Sequence, residues 1–536
     1  MAQQVKIIGR GTWLDKVADE VVEREKKLRR SLSLVRVESG LAASGFPHIG
    51  SVGDAIRSFG IKLALETIGY KSELIAYSDD LDGLRKVPAG LPASLKKYIA
   101  HPVTHIPDPF KCHESYGDHM SSLLRGALDS IGIEYRFISG AEAYRTGILN
   151  DQIRKILSSA DKIGKTIKDM VGQEKYEKAL PYTPICADCG RVYTTQVSHY
   201  DGKRDVVAYR CEGTELGGEY LKGCGHEDEA KISDGKGKLM WKTEFAARWA
   251  ALDIRFEAYG KELTDSVKIN DWVSEHVLGF PAPFHVRYEL FQDKSGKKMS
   301  KSTGNLVTPQ EWLNVASPES LRLLMFKRIV GARNISLEDV PTYMDEFDEL
   351  EEYYFSKQKY ANLLKNAKQR GLFEYSMFLD VPPVKRDHVP YRLLAQLAAL
   401  APEGKAEEYV AKRLVAYGMV NEVSEELKAR IARASRWAKK DTLPHVEKLV
   451  IPARVVRALR EFSERLGTAK THDEVQAAAF ESLKKHGLKP SEFFPFVYQA
   501  LLGVDRGPRL GPYVVDTGSE YVKGKIRAAL ASSKHN

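Results

Sequence analysis

The chain has 536 residues, of which 43% are hydrophobic and 29% charged, which is ordinary for a folded protein and excludes disorder along its whole length. At about 150 residues per domain, this length predicts roughly three or four domains. Lysine and arginine number 81 against 72 for aspartate and glutamate, and the net charge of +9 mildly favours a polyanionic partner such as nucleic acid. No apolar run is long enough to cross a bilayer and no secretory signal is recognisable, so we expect a soluble, cytoplasmic protein without a membrane partner.

The first ninety residues alternate between helical and strand-like patterns. Apolar residues recur at helical spacing over residues 13–30, and residues 32–38 predict a short strand that ends at a Ser-Gly pair. A helical run at 54–69 and a second strand at 73–77 follow. This strand–turn–helix–strand order predicts an α/β fold with a Rossmann-like parallel sheet, which binds ligands where strands end and helices begin.

The remainder of the chain changes character twice. Residues 93–233 hold all five cysteines among short elements, which predicts a zinc-stapled insertion between two halves of the α/β domain, residues 1–92 and 234–338. Residues 339–536 are almost wholly helical in pattern and predict an all-α C-terminal domain.

The first candidate ligand-binding segment runs from Gly40 to Ser51, at the predicted strand-to-helix turn. Glycines there let the backbone approach a ligand closely, and the N–H groups at the start of the next helix suit an anion. His48 is placed to reach a phosphate, although a tight turn with an incidental histidine would give the same pattern. The residues expected to contact a nucleotide are Ser44, Gly45, His48, Gly50 and Ser51.

The second segment, Gly296 to Asn305, places three lysines and three hydroxyl groups in a short loop. Such a loop can close its charges on a transferring phosphate, although a solvated basic loop is the alternative. The residues expected to contact the nucleotide are Lys298, Met299, Ser300, Lys301 and Ser302.

Other nucleotide-binding motifs are absent from the sequence. The Gly-Lys-Thr at 164–166 has Ser159 where a P-loop requires its first glycine, and Gly9-Arg-Gly11 lacks the third glycine of a dinucleotide fingerprint. A Walker-type NTPase is therefore disfavoured.

The two segments together resemble the paired signatures of class I aminoacyl-tRNA synthetases, because His48-Ile-Gly-Ser51 precedes Lys298-Met-Ser-Lys-Ser302 by about 250 residues. Residues 78–88, 237–249 and 256–261 further resemble the class I lysyl-tRNA synthetases common in archaea. The likeness covers most of the chain and is weakest towards its C-terminal end.

This resemblance implies ATP-dependent attachment of L-lysine to tRNA(Lys) through a lysyl-adenylate, with Mg²⁺ bound mostly by the ATP phosphates. His48, Lys298 and Lys301 would then be catalytic. Residues 339–536 would bind the anticodon, and the residue types suited to RNA there, none of them assigned, are Tyr409, Arg413, Tyr417, Trp437 and Arg454. The alternatives are a class I synthetase for glutamate, cysteine or arginine, a non-catalytic RNA-binding relative, and a nucleotidyltransferase of the same superfold.

A lysine substrate needs a carboxylate for its ammonium group and an aromatic wall for its stem. Carboxylates in residues 79–82 and the ring of Trp241 are candidates, although capping or ion-pairing roles are equally open for the former. The sequence departs from the family at Ala42, Ala43 and Glu262-Leu263, so substrate selection is expected to be rebuilt in part. The predicted lysine-binding residues are Gly40, Ala42, Asp80, Asp82 and Trp241.

Two groups of residues predict structural zinc sites. Cys186-x-x-Cys189 with Cys211 and Cys224 has the layout of a zinc knuckle, in which His226 is an alternative to Cys224 and buried free thiols are the plain alternative. The family resemblance implies a second zinc site, formed by Asp108, Cys112, His113 and His119.

Overall fold

The computed structural model describes residues 7–177, 179–293, 307–357, 360–438, 450–503, 505, 507–532 and 534–535. The chain forms two compact units. The first comprises residues up to Glu311 together with Leu321–Ser336 and Ser356–Val381, and the second comprises Trp312–Ser320, Leu337–Phe355 and the residues from Pro382 onward. Among the described residues, no helix combines the length and apolar character that a membrane crossing demands.

The strands in chain order are β1 Val35–Leu41, β2 Ser72–Ser78, β3 Arg136–Ser139, β4 Tyr182–Pro184, β5 Thr195–Asp201, β6 Val206–Cys211, β7 Gly213–Leu216, β8 Glu219–Lys222, β9 Glu227–Lys231, β10 Gly237–Leu239, β11 Ile254–Gly260, β12 Phe284–Tyr288, β13 Phe291–Gln292, β14 Arg333–Asn334, β15 Val450–Ile451 and β16 Lys534–His535.

The α-helices are α1 Trp13–Lys27, α2 Ile49–Thr67, α3 Tyr116–Ile131, α4 Gly140–Arg145, α5 Asn150–Ser158, α6 Ala160–Val171, α7 Trp241–Leu252, α8 Thr264–Val273, α9 Pro309–Val315, α10 Pro318–Phe326, α11 Val340–Phe355, α12 Leu363–Ser376, α13 Tyr391–Ala399, α14 Ala406–Ala416, α15 Glu425–Ala438, α16 Ala453–Arg465, α17 His472–Lys485, α18 Pro490–Leu502, α19 Leu510–Thr517 and α20 Ser519–Ser532. Single 3₁₀ turns lie at Ala93–Tyr98, Val103–His105, Glu174–Glu177, Ile232–Asp234, Lys261–Leu263 and Leu337–Asp339, and a π turn at Ser274–Leu278.

A five-stranded parallel sheet organises the first unit, in the order β12-β11-β1-β2-β3. Its central strands are apolar on both faces because helices cover both sides, as the buried side chains of Val35 and Val37 in β1 illustrate. The strand order reverses between β1 and β11, so the carboxyl ends of these two strands border the crevice in which such sheets bind ligands. The predicted α/β class and parallel sheet are confirmed.

Helix α2 connects β1 to β2 and packs on the sheet and on α1. Its sequence is apolar almost all round, and the consecutive residues from Ala55 to Leu65 are all buried. A helix buried on every side is held rigidly, so its first turn is a fixed platform at the carboxyl end of β1.

The cysteine-rich part of the first unit is built from short antiparallel strands. Strands β5, β6 and β9 form one small sheet, β7 and β8 form a hairpin, and β4 pairs with β10. Alternation along β5 buries Thr195 and Val197 and exposes Gln196 and Ser198, as expected for a sheet with one covered face.

The second unit is helical apart from the short pairing of β15 with β16. Its helices α13, α14 and α15 pack together, and α16 to α20 form another closely packed group. Trp437 and Tyr417, two of the residue types suited to RNA, are each only 1% exposed and belong to this core. A core position excludes direct stacking of either ring on a nucleotide.

Candidate nucleotide and amino-acid site

The first predicted segment forms the turn from β1 into α2, and His48 is the residue that begins the helix. Its backbone is extended, and its imidazole Nδ1 accepts a hydrogen bond from the Gly50 N–H at 3.1 Å. Because Nδ1 is the acceptor, the proton of the neutral ring resides on Nε2, which is therefore the donor atom. Histidine is an unusual N-cap residue, and here the capping contact fixes both the tautomer and the direction of the ring.

A cavity of about 220 Å³, which we call the His48 cavity, lies over this turn. It is bordered by the end of β1, the first turns of α2, Glu262 beyond β11, and the end of β12. The free N–H groups at the start of α2 and the Nε2 donor of His48 give it an anion-attracting end. Its lining includes the predicted residues Gly40, Ala42, His48, Gly50 and Ser51.

A second cavity of about 280 Å³, the Trp241 cavity, shares Ala42 with the first. Trp241 forms one wall, and Asp79 and Asp82 supply carboxylates. An aromatic wall beside buried acids suits a long apolar stem that ends in a cation. Ser44, predicted to contact the nucleotide, lines this second cavity, and Gly45 is buried in the turn between β1 and α2.

Asp82 is held by two neighbours that the sequence did not single out. Its Oδ2 accepts a hydrogen bond from the Trp241 indole N–H at 3.3 Å, and its Oδ1 pairs with the ammonium of Lys238. Lys238 is 2% exposed and also pairs with Glu244 at 3.0 Å. Asp82 therefore orients the Trp241 ring while its own charge is already largely balanced by Lys238.

Asp79 belongs to a second buried ionic group, centred on Arg248 of α7. The Arg248 guanidinium pairs with Asp79 at 2.8 Å, with Glu38 at 3.0 Å and with Glu257 at 3.6 Å. One guanidinium cannot neutralise three carboxylates out of water. Burial accordingly raises the pKa of Glu38 to about 8 and that of Asp79 to about 7, although Arg248 acts in the opposite direction in both cases.

Asp80 has a different place from its neighbours in the sequence. Its Oδ1 accepts the Ala141 N–H at 2.7 Å, so it caps the start of α4. Burial raises its pKa to about 6 against the effect of these hydrogen bonds. Asp80 does not appear in the described lining of either cavity, whereas Asp79, left out of the predicted lysine contacts, lines the Trp241 cavity.

The floor of the His48 cavity contains a group that sequence analysis missed. The Tyr288 hydroxyl donates a hydrogen bond to Asp54 of α2, and Arg57 stacks on the Tyr288 ring with its guanidinium carbon 4.2 Å from the ring centroid. Burial raises the pKa of Asp54 and lowers that of Arg57 to about 10. Since Tyr288 lies far from α2 in the chain, no local pattern announces this cluster.

The second predicted segment falls outside the described residues. Lys298, Met299, Ser300, Lys301 and Ser302 all lie between the described ranges 179–293 and 307–357. Their role therefore stays a prediction. The described chain resumes beside the site, since the carbonyl of Val307 accepts the Ile49 N–H of α2 at 2.9 Å.

The four predicted zinc-knuckle cysteines converge. Their sulfur atoms lie within 4.8 Å of one another, with Sγ–Sγ distances of 3.6 Å for Cys186–Cys224 and 3.7 Å for Cys189–Cys211. Tetrahedral zinc with Zn–S bonds of about 2.3 Å requires sulfur separations of about 3.8 Å. The donor set therefore fits Zn²⁺, and Cys224, rather than His226, is the fourth member of the cluster.

The second predicted group also converges, within the same 4.8 Å limit. The Cys112 sulfur lies 3.2 Å from Nδ1 of both His113 and His119 and 3.3 Å from an Asp108 oxygen. These spacings match the edges of a small tetrahedron, and the mixed sulfur, nitrogen and oxygen set is one that zinc accepts.

Comparison with known proteins identifies the family. The family described as tRNA synthetases class I (K) matches residues 11–378. A lysine–tRNA ligase of Cenarchaeum symbiosum (strain A) is 50% identical over 523 residues, 98% of this chain and 99% of that protein. A lysine–tRNA ligase of Haloarcula marismortui is 29% identical over 98% of this chain and 99% of that protein.

Among solved structures, a glutamate-tRNA synthetase from Elizabethkingia anophelis aligns with 93% of this chain and 99% of its own at 13% identity, with a TM-score of 0.35. The family match and the 50% identity over almost the whole length are the decisive findings. The chain belongs to the class I tRNA synthetases (K).

Proposed function

We propose that this chain attaches L-lysine to tRNA(Lys) at the expense of ATP, through a lysyl-adenylate. The single observation that carries the proposal is the pair of adjoining cavities at the point where the sheet order reverses. One has an anion-attracting helix start, and the other has an aromatic wall and buried carboxylates. The lysine–tRNA ligases to which the chain is similar supply the substrate class.

In the first step, a carboxylate oxygen of lysine attacks the α-phosphorus of ATP, and the bond to the β-phosphate oxygen breaks to release pyrophosphate. Positioning and charge stabilisation supply the catalysis. His48 Nε2 and the first N–H groups of α2 would donate to the phosphates, and Lys298 and Lys301 would balance the charge of the leaving pyrophosphate. Mg²⁺ would accompany ATP, held mostly by phosphate oxygens.

The lysine itself would extend from the His48 cavity into the Trp241 cavity. Gly40, at the end of β1, would approach its α-amino end closely, and Ala42 would form the passage that the two cavities share. Trp241 would cover the stem, and Asp79 with Asp82 would supply negative charge for the ammonium. The capping position of Asp80 supports a role in holding α4 instead.

In the second step, the terminal adenosine of tRNA attacks the acyl carbon through its 2′-hydroxyl, and AMP leaves. Residues 339–536 would hold the anticodon stem and loop, and the predicted inserted region 93–233 would be stapled by two structural zinc ions. We expect this reaction to take place in the cytoplasm, where its substrates are.

The test is pyrophosphate exchange into ATP measured with each of the twenty amino acids, followed by charging of transcribed tRNA(Lys). Exchange that depends on lysine, and acid-labile lysine on the tRNA, are the expected results. Exchange with glutamate, cysteine or arginine in place of lysine would reassign the substrate within the class. Absence of exchange with every amino acid would leave only a non-catalytic RNA-binding role.

A further inference from the structure

A groove of about 610 Å³ lies within the second unit, between α17, α18 and the segment that leads into α19. Phe494 and Tyr498, four residues apart on α18, form one side. His472 and Gln476 on α17 face them, and Arg509 closes one end. The groove is therefore lined by rings and by groups that form hydrogen bonds.

The aromatic rings of this groove form a continuous strip. Phe494 and Tyr498 lie nearly parallel, at an interplanar angle of 28° and a centroid separation of 6.3 Å. Phe480, one helical turn beyond Gln476, packs edge-on against Phe494 at 5.5 Å and is itself 45% exposed. An exposed phenylalanine that continues a strip of half-buried rings offers a face on which another flat group can stack.

The strip is held rigidly in place. The Tyr498 hydroxyl donates a hydrogen bond to the Pro508 carbonyl at 2.5 Å, which ties α18 to the segment before α19. α19 approaches α17 so closely that a side chain on Gly511 would meet the His472 carbonyl at 2.3 Å. A platform that is already ordered loses little entropy when a ligand stacks on it.

The chemistry of the groove favours a nucleic-acid base over a peptide. Leu510 is its only leucine, isoleucine or valine among the described lining residues, and it is 1% exposed, so the groove lacks the aliphatic surface that an amphipathic helix seeks. Gln476, His472 and Arg509 carry the donors and acceptors that read base edges. Residues 453–536 contain fourteen lysines and arginines against nine aspartates and glutamates, which suits a polyanion.

We propose that this groove binds an unstacked base from the anticodon loop of the tRNA, which stacks on the strip formed by Phe480, Phe494 and Tyr498. The inference rests on the proposed function, since tRNA is a substrate only if the chain is a synthetase. Asp473, in the first turn of α17, lies in the same groove and is placed to accept a hydrogen bond from a base amino group.

The test is the dissociation constant for transcribed tRNA(Lys) and for its isolated anticodon stem–loop. Removal of the ring in Phe480→Leu is expected to weaken both by about tenfold, in line with the effect of losing one base-stacking contact. Phe480→Trp, which keeps an aromatic face, is expected to restore binding. Arg509→Gln, an exposed change outside the core, is expected to weaken binding and guards against a folding defect in the Phe480 variants.

The matched control for lost charge is Lys412→Gln, because Lys412 lies elsewhere in the second unit, 74% exposed and paired with Glu408. Its tRNA affinity is expected to fall less than twofold. Binding of Phe480→Leu and Arg509→Gln within twofold of the parent protein would overturn the groove. Lysine-dependent exchange of the parent protein needs no tRNA, so its absence would overturn the proposed function instead.

Discussion

His48 combines two roles that can be separated by substitution. Its Nδ1 caps α2 through the Gly50 N–H, and its Nε2 is left as the donor for a phosphate. Asparagine is among the best N-cap residues, because its side-chain oxygen accepts the same kind of N–H, but it has no atom where Nε2 lies. The capping role and the catalytic role therefore predict different results for one variant.

We expect His48→Asn to change the free energy of unfolding by less than about 1 kcal/mol and to slow lysine-dependent pyrophosphate exchange by about a hundredfold or more. Denaturant unfolding and exchange kinetics are the measurements. His48→Ala is the comparison, since it removes both functions and should lose stability as well. Full exchange activity in His48→Asn would show that the ring does not touch the phosphates.

The buried ionic group around Arg248 predicts a dependence of stability on pH. Burial raises the pKa of Glu38 to about 8, above its model value of 4.5, so between these values the folded state keeps a proton that the unfolded state has lost. The free energy of unfolding contributed by Glu38 is therefore fully present at low pH, declines as the pH rises through this window, and levels off above it. The decline can reach at most about 1.4 kcal/mol for each pH unit.

Glu38→Gln replaces the titrating group with a neutral one of the same shape, so its stability is expected to fall less steeply from about pH 5 to 8 than that of the parent protein. Denaturant unfolding at one-unit intervals measures the two slopes. Asp151→Asn is the control, because the Asp151 side chain is 83% exposed and its removal should leave the slope unchanged. Parallel slopes for Glu38→Gln and the parent protein would contradict the assignment.

At the scale of elements, local patterns predicted the strand–turn–helix of the site well. The apolar run at 32–38 became β1 at Val35–Leu41, and the Gly-rich turn leads into α2 as expected. The roles of adjacent acidic residues were not predictable, because they depend on partners far away in the chain. Asp80 meets α4 and Asp82 meets Lys238, and no local signal shows that either partner is near.

Lys238 and Arg248 illustrate the same limit from the other side. A lysine or arginine in a sequence is ordinarily read as a solvated surface residue, because burial of an unpaired charge is costly. Both are nearly fully buried here because carboxylates from other elements surround them. The cysteine spacing, by contrast, was informative, since metal ligands must converge wherever the chain runs.

The small sheet of β5, β6 and β9 and the hairpin of β7 and β8 have little core of their own and depend on the Cys186 cluster. We expect Cys224→Ser to lower the zinc content by about one ion per chain and to increase proteolysis in residues 195–231, because serine is a poor zinc ligand. Metal analysis and limited proteolysis are the measurements. His226→Ala is the control and should keep its zinc, whereas loss of zinc from that variant alone would make His226 the ligand.

At the scale of the whole molecule, the two units interleave along the chain and do not follow the predicted boundary at residue 338. Residues 312–320 and 337–355 belong to the second unit, whereas 356–381, which include α12, belong to the first. α12 is bound to the first unit by long-range contacts, among them a hydrogen bond from Arg322 to the Ser376 carbonyl at 3.1 Å. The four-part division from the sequence remains a prediction, and contacts alone divide the chain differently.

One buried contact joins the two ends of the first unit and gives this interleaving a measurable energy. The Tyr375 hydroxyl of α12 donates to Asp15 of α1 at 2.6 Å, and both residues are fully buried. Tyr375→Phe leaves a buried carboxylate oxygen without that donor, so we expect the free energy of unfolding to fall by about 1–3 kcal/mol. Tyr135→Phe is the control, since its hydroxyl bonds to Asp129 at the surface and its loss should cost less than about 0.5 kcal/mol. Equal losses in the two variants, measured by denaturant unfolding, would mean that α12 contributes no more than a surface contact to the first unit.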